Sequence, residues 1–170
     1  MPRPAHYVIL TIFPLLLASC AGSRQTLAPP EPMELGPVDR SFMMKPEYRP
    51  FAVTYDTAQV SSDVIELLRL AHEEAEFLVI FGTWCGDSKR EVPRFLKIAD
   101  LAGIPAERIR LHGVDRASRR VDALADQYAV ARVPTFIILR NGKEEGRIVE
   151  QPVGTMEGDI LNILAGRQNR

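Results

Sequence analysis

The stretch from Phe77 to Phe95, FLVIFGTWCGDSKREVPRF, constrains this chain more than any other. Phe77 to Gly82 carry no charge, and a short apolar run of that kind predicts a buried strand. Thr83 and Trp84 turn the chain, and Cys85 follows. Beyond Gly86, the residues Val92, Phe95, Leu96 and Ala99 fall at i, i+3, i+4 and i+7, the period of an amphipathic helix. A cysteine therefore stands where a buried strand hands over to a helix. The amides and dipole of a helix N-terminus favour an anion, and the thiolate is the reactive form of cysteine.

The rest of the folded part reads around that stretch. Phe51, Val53 and Tyr55 alternate with Ala52, Thr54 and Asp56, which predicts an edge strand. Ser61, Ser62 or Asp63 caps a helix whose buried face is Val64, Leu67, Leu68 and Ala71. Ile109 to Val114 alternates as a strand. Val121, Leu124, Ala125 and Tyr128 predict the next helix, with Ser118 as its cap. Thr135 to Arg140 is a strand, Asn141-Gly142 a hairpin turn, and Lys143 to Glu150 the return strand. Thr155 caps a last helix burying Ile160, Leu161 and Leu164. The order β-α-β-α-β-α-β-β-α predicts an α/β domain, a mixed central sheet with helices on both faces.

Upstream of it the composition changes. Arg3 is the only Lys, Arg, Asp or Glu before Arg24, and Tyr7 to Ala18 is apolar but for Thr11 and Pro14. That run is too short for a comfortable membrane span and reads as a secretory signal. Its end, Leu17-Ala18-Ser19-Cys20, resembles the lipobox of bacterial lipoproteins, which implies cleavage and acylation of Cys20. Ala21, where aspartate would signal retention in the inner membrane, points to the periplasmic face of the outer membrane in a Gram-negative cell. Residues 21–50 hold six of the thirteen prolines and show no apolar period. They read as a linker, or as a strap laid across the domain by Met33, Phe42, Met43, Met44 and Tyr48. The expected layout is a signal peptide at 1–19, a lipidated cysteine and Pro-rich linker at 20–50, and a domain at 51–170, in the bacterial cell envelope.

Totals exclude several functions. With 21 basic and 22 acidic side chains there is no charge excess to suit nucleic acid. Two cysteines are too few for a disulfide framework. His72 and His112 have no Cys or His partners at ligand spacing, so neither a metal site nor a cofactor is expected.

WCGDSKREVP resembles the active-site segment of the thioredoxin family, W-C-G-P-C-K followed by a proline in the same helix. Trp84, Cys85, Gly86, Lys89 and Pro93 match; Asp87 replaces the usual proline and Ser88 the second, resolving cysteine. The segment Tyr128 to Phe136, YAVARVPTF, resembles the family's run into its cis-proline, with Pro134 standing 49 residues after Cys85. The resemblance covers about Phe51 to Gly166 and implies a thioredoxin fold. It also implies a substrate groove made by Trp84, Gly86, Val133, Pro134 and Thr135 and bordered by Arg132.

The departures limit what the resemblance implies. Dithiol reduction needs a second thiol to resolve the mixed disulfide, and Ser88 is not one. The buried aspartate that the family carries six residues before its first cysteine is Val79 here. What remains is a monomer using Cys85 as a single nucleophile in thiol–disulfide exchange or isomerisation. In that expectation the Ser88 hydroxyl donates to the thiolate, Lys89 and Arg90 favour it, and Asp87 opposes it. The partners implied are protein thiols or disulfides, and glutathione or another low-molecular-weight thiol for release. The alternative is a redox-inactive module whose groove holds an extended partner segment.

Overall fold

The computed structural model describes residues 32–116 and 122–167. The signal segment, Cys20, Ser118 and Val121 lie outside the described residues. Strand β1 (Gly36–Val38) opens the fold, followed by two short 3-10 turns and helix α1 (Arg49–Thr57). Then come α2 (Ser62–Ala71), β2 (Ala75–Phe81), α3 (Gly86–Ala102), β3 (Ile109–Gly113) and α4 (Ala123–Gln127). The hairpin β4 (Thr135–Arg140) and β5 (Lys143–Val149) leads into α5 (Met156–Leu164).

The five strands form one mixed sheet in the order β1-β3-β2-β4-β5. β2 runs parallel to β3, while β1 is antiparallel to β3, β4 to β2, and β5 to β4. Because side chains alternate along a strand, β2 serves both faces. Phe77, Val79 and Phe81 enter the larger core with Phe95, Phe136, Ile138 and side chains of α1, α2, α3 and α5. Leu78 and Ile80 enter a smaller core with Val114, Ala125, Val133, Ile137 and Leu139, closed by Leu124 and Tyr128. Helices thus cover both faces, as expected for this α/β class.

Several expectations are corrected. The segment 51–56 is helical, not an edge strand. Tyr48, Phe51 and Tyr55 recur at helical spacing, Tyr48 and Phe51 are buried, and Val53 of the supposed inward face is 48% exposed. The first strand lies upstream at β1, so the domain begins well before residue 51. Residues 36–50 are folded, with Phe42 packed edge-on against both Tyr48 and Phe51 at centroid distances of 5.5 and 5.0 Å. That is the strap reading, carried by Phe42, Met43 and Tyr48, while Met44 points to solvent. Gly113 makes room for it, since a Cβ there would sit 2.1 Å from the Glu34 carbonyl oxygen.

The strap is also pinned by charge. Arg40 grips Asp100 with two hydrogen bonds of 2.8 and 2.6 Å, and the Tyr55 hydroxyl donates to the same carboxylate at 2.5 Å. Burial pushes the Asp100 carboxyl up, but the Arg40 and Tyr55 hydrogen bonds outweigh it and hold the group below its ordinary range.

In α2 the buried face is Ile65 and Leu68 rather than Leu67, which is 52% exposed. The cap of α4 is Asp122, whose carboxylate accepts from the amides of Leu124 and Ala125 and meets His112 Nε2 at 2.8 Å. Asn141 and Gly142 both have positive φ and turn the hairpin as read. Thr155 caps α5 by accepting from Gly158 N.

Candidate active site

Cys85 is the N-cap of α3, with the extended backbone (φ −80°, ψ 130°) usual at that position. It is half-buried and free, and its Sγ–H donates to the carbonyl oxygen of Val133 at 3.3 Å. The Val133-Pro134 peptide is cis. The register explains the meeting, because the end of β2 lies beside the start of β4, Ile80 opposite Thr135. The turn leaving β2 and the turn entering β4 are therefore neighbours, and Cys85 and Val133 sit one on each.

Two hydrogen bonds flank the cis bond. Thr135 Oγ1 donates to Arg132 O at 2.7 Å, and Glu150 N donates to Pro134 O at 2.7 Å. Arg132 borders the site as expected, but its guanidinium is paired with Glu150 Oε2 at 2.9 Å. An acidic ligand would therefore have to compete with Glu150 for it. Val133, Pro134 and Thr135 are buried, while Trp84 and Cys85 are half-buried and Gly86 is exposed. Access to the sulfur is thus from the Trp84–Gly86 side.

Ser88 is tied to the strand end that precedes the cysteine. It is fully buried, and its Oγ accepts from the amide of Gly82 at 3.4 Å. That bond joins the residue just past β2 to α3 and leaves the hydroxyl hydrogen free to donate. Val79 is likewise wholly buried, in the larger core. A hydroxyl and an isopropyl group occupy the two positions where the family's second thiol and its carboxylate would stand.

Trp84 is held on both sides. Its indole N–H donates to Val114 O at 3.0 Å, and the Arg116 guanidinium lies 5.0 Å from its ring centroid. A Cβ on Gly82 would lie 2.6 Å from the indole, so the ring packs directly on that glycine. By sequence, Arg116 groups with Arg108, Arg119 and Arg120 as a solvated face. The signal that separates it is the pairing of Phe81 with Gly113, which brings the residues just beyond both strands together.

The first turns of α3 carry alternating charge. Arg90 donates to Asp87 Oδ1 at 2.7 Å and, through Nε, to Glu91 Oε1 at 2.6 Å. Arg94 lies 3.7 Å from the other Glu91 oxygen. Glu91 is 2% exposed, a buried carboxylate that sequence reading does not single out. Its signal is its place beside Val92 on the inward side of an amphipathic helix.

A model of the thioredoxin family matches residues 42–159, well over half of the chain. The chain belongs to the thioredoxin family. A thioredoxin from Chlamydia trachomatis is 35% identical over 87 residues, covering 51% of this chain and 76% of that one. A protein disulfide-isomerase from Datisca glomerata is 32% identical over 91 residues, covering 52% of this thioredoxin-family chain and only 17% of the isomerase. Among solved structures, a protein of unknown function from Pseudomonas aeruginosa aligns with a TM-score of 0.49 and 19% identity, over 70% of this chain and 72% of the other. The family match and the sheet order with its cis-proline agree on a thioredoxin fold.

Proposed function

We propose that this protein catalyses thiol–disulfide exchange with Cys85 as a single nucleophile, returning disulfides as disulfides rather than reducing them. The observation that carries this reading is the 3.3 Å contact of Cys85 Sγ with the Val133 carbonyl at a helix N-terminus, with Ser88 in place of a second thiol. A thiolate cannot donate, so that contact opens when the sulfur becomes a nucleophile. An extended substrate laid against Val133 can then use the freed carbonyl, as in strand addition.

The steps balance without an external oxidant. The Cys85 thiolate attacks a substrate disulfide, forming a mixed disulfide and expelling one substrate thiolate. Ser88 leaves the new bond standing until an outside thiolate attacks it. That thiolate is another cysteine of the substrate, or glutathione or another small thiol, and it forms a new disulfide with the substrate sulfur while the Cys85 thiolate leaves. Attack from within the substrate isomerises its disulfides, and Cys85 is released as it began. Protein thiols and disulfides are the substrates to which family membership points.

The upstream segment fits the same picture. We place Cys20 as a lipid anchor holding the domain at the bacterial envelope. Cys20→Ala should move the protein from the membrane to the soluble fraction, and continued membrane association would exclude the anchor.

Reactivation of scrambled ribonuclease in a thiol buffer tests the catalytic reading. Wild type should accelerate it and Cys85→Ser should not. Equal rates for the two would leave the groove as a binding surface without redox turnover.

A further inference from the structure

Asp87 sits two residues from the sulfur, at the helix end whose positive potential the Cys85 thiolate also needs. An unpartnered carboxylate there would compete for that potential and repel a developing thiolate. It is not unpartnered, because Arg90 Nη2 lies 2.7 Å from Asp87 Oδ1. The guanidinium is in turn held from behind by its Nε bond of 2.6 Å to Glu91. Glu91 is almost wholly buried, and a buried carboxylate is costly unless paired with a cation. Glu91 thus fixes where Arg90 sits, and Arg90 fixes where Asp87 points. Arg94 lies 3.7 Å from the remaining Glu91 oxygen, an ion pair without a hydrogen bond, so Asp87, Arg90, Glu91 and Arg94 alternate in sign along the first turns of α3.

Among the described residues Lys89 forms no ion pair with Asp87, and the other charged groups near the site are engaged elsewhere. Arg132 is taken by Glu150, and Arg116 lies over Trp84. Neither does for Asp87 what Arg90 does.

We infer that Arg90 is the positioning residue of the exchange reaction: anchored on buried Glu91, it neutralises Asp87 and so keeps the variant CGDS site able to act as a nucleophile. This rests on the reading of Cys85 as an exchange nucleophile. As a surface ion pair the Arg90–Asp87 contact would stabilise the fold little. Its effect belongs to the charge that a thiolate at Cys85 meets.

The test uses the full chain carrying Cys20→Ala, so that Cys85 is the only thiol. The second-order rate with the neutral probe 2,2′-dithiodipyridine at pH 7 and low salt is read from released thiopyridone. Arg90→Ala should slow the reaction about three- to tenfold, the scale of one unscreened charge at this range in a partly solvated site. Adding Asp87→Asn to it should restore the wild-type rate, and a merely structural role would not give that rescue. Asp87→Asn alone leaves Arg90 in place and should quicken the reaction by a similar factor, even if Arg90→Ala folds poorly. Unchanged rates in Asp87→Asn, or no rescue in the double variant, would overturn the inference while leaving Cys85 a nucleophile. A wild-type Cys85 that fails to react with the probe would overturn both.

Discussion

The sulfur of Cys85 and the carbonyl oxygen of Val133 lie 3.3 Å apart, joining the turn after β2 to the turn before β4. The two residues are 48 positions apart in sequence, and the sheet register is what brings them together. In the proposed exchange, Cys85 would thereby attack beside the backbone edge that an extended substrate would use. With Ser88 buried behind it, the exchange we propose would use the attacking half of the family's chemistry without the resolving half.

Restoring the second thiol should restore the missing half. Ser88→Cys is expected to close a disulfide between Cys85 and the introduced thiol on mild oxidation, seen as loss of iodoacetamide-reactive sulfur. The mixed disulfide with substrate should then be short-lived, because an internal thiol now resolves it. An introduced thiol that stays alkylatable beside an oxidised Cys85 would contradict the alignment of Ser88 with the resolving position.

The strap is part of the core. Phe42→Ala should cost about 3–5 kcal/mol, the range for truncating a buried aromatic. A denaturant midpoint shift gives the value. A chain begun at residue 51 loses Phe42 and Tyr48 together and should fail to fold cooperatively. Wild-type stability in either variant would return residues 36–50 to the role of a linker.

The Arg40–Asp100–Tyr55 clamp should show in the acid limb of stability. Asp100 has a depressed pKa, so its contribution is complete above the unfolded carboxyl's ordinary value near 3.9 and is lost as pH falls through the lower folded value. Arg40→Ala should therefore lower stability at neutral pH and flatten the loss below about pH 4. With both side chains about a third exposed, the cost at neutral pH is on the order of 1 kcal/mol. An Arg40→Ala variant whose stability falls with acid as steeply as wild type would count against the clamp.

Trp84 is the chain's single tryptophan, so its fluorescence reports the site directly. Gly82→Ala puts a methyl group where the indole packs and should shift and broaden the emission while slowing thiol exchange. Arg116→Ala should change the emission without unfolding the protein, since it uncovers one face of the ring. Unchanged spectra in both would mean that the ring is not held as described.

Much of this is legible in the chain itself, and the failures have physical causes. β2, α3, the β4–β5 hairpin and the Thr155 cap follow from run length, period and turn chemistry, which are local signals. Residues 51–56 mislead because Phe51 and Tyr55 satisfy a period of two and a helical period alike, and Tyr48 upstream decides between them. The strap hides in a Pro-rich stretch with no period, since its aromatics pack one by one against distant partners. At the site, Cys85, Trp84 and Pro134 stand in recognisable motifs. The partners of Ser88, Arg132, Arg116 and Glu91 do not, because they are set by sheet register and helix packing rather than by neighbours in sequence.

The decisive experiment follows the intact mass of the reduced full chain, carrying Cys20→Ala, after mixing with a peptide whose only cysteine is held as a mixed disulfide with 2-thiopyridine, so that no substrate thiol remains to resolve the adduct. One peptide should attach through Cys85, persist until glutathione is added and then leave, with no adduct on Cys85→Ser. No adduct on the folded wild-type chain, or an adduct that disappears without any added thiol, would contradict a single-thiol exchange site.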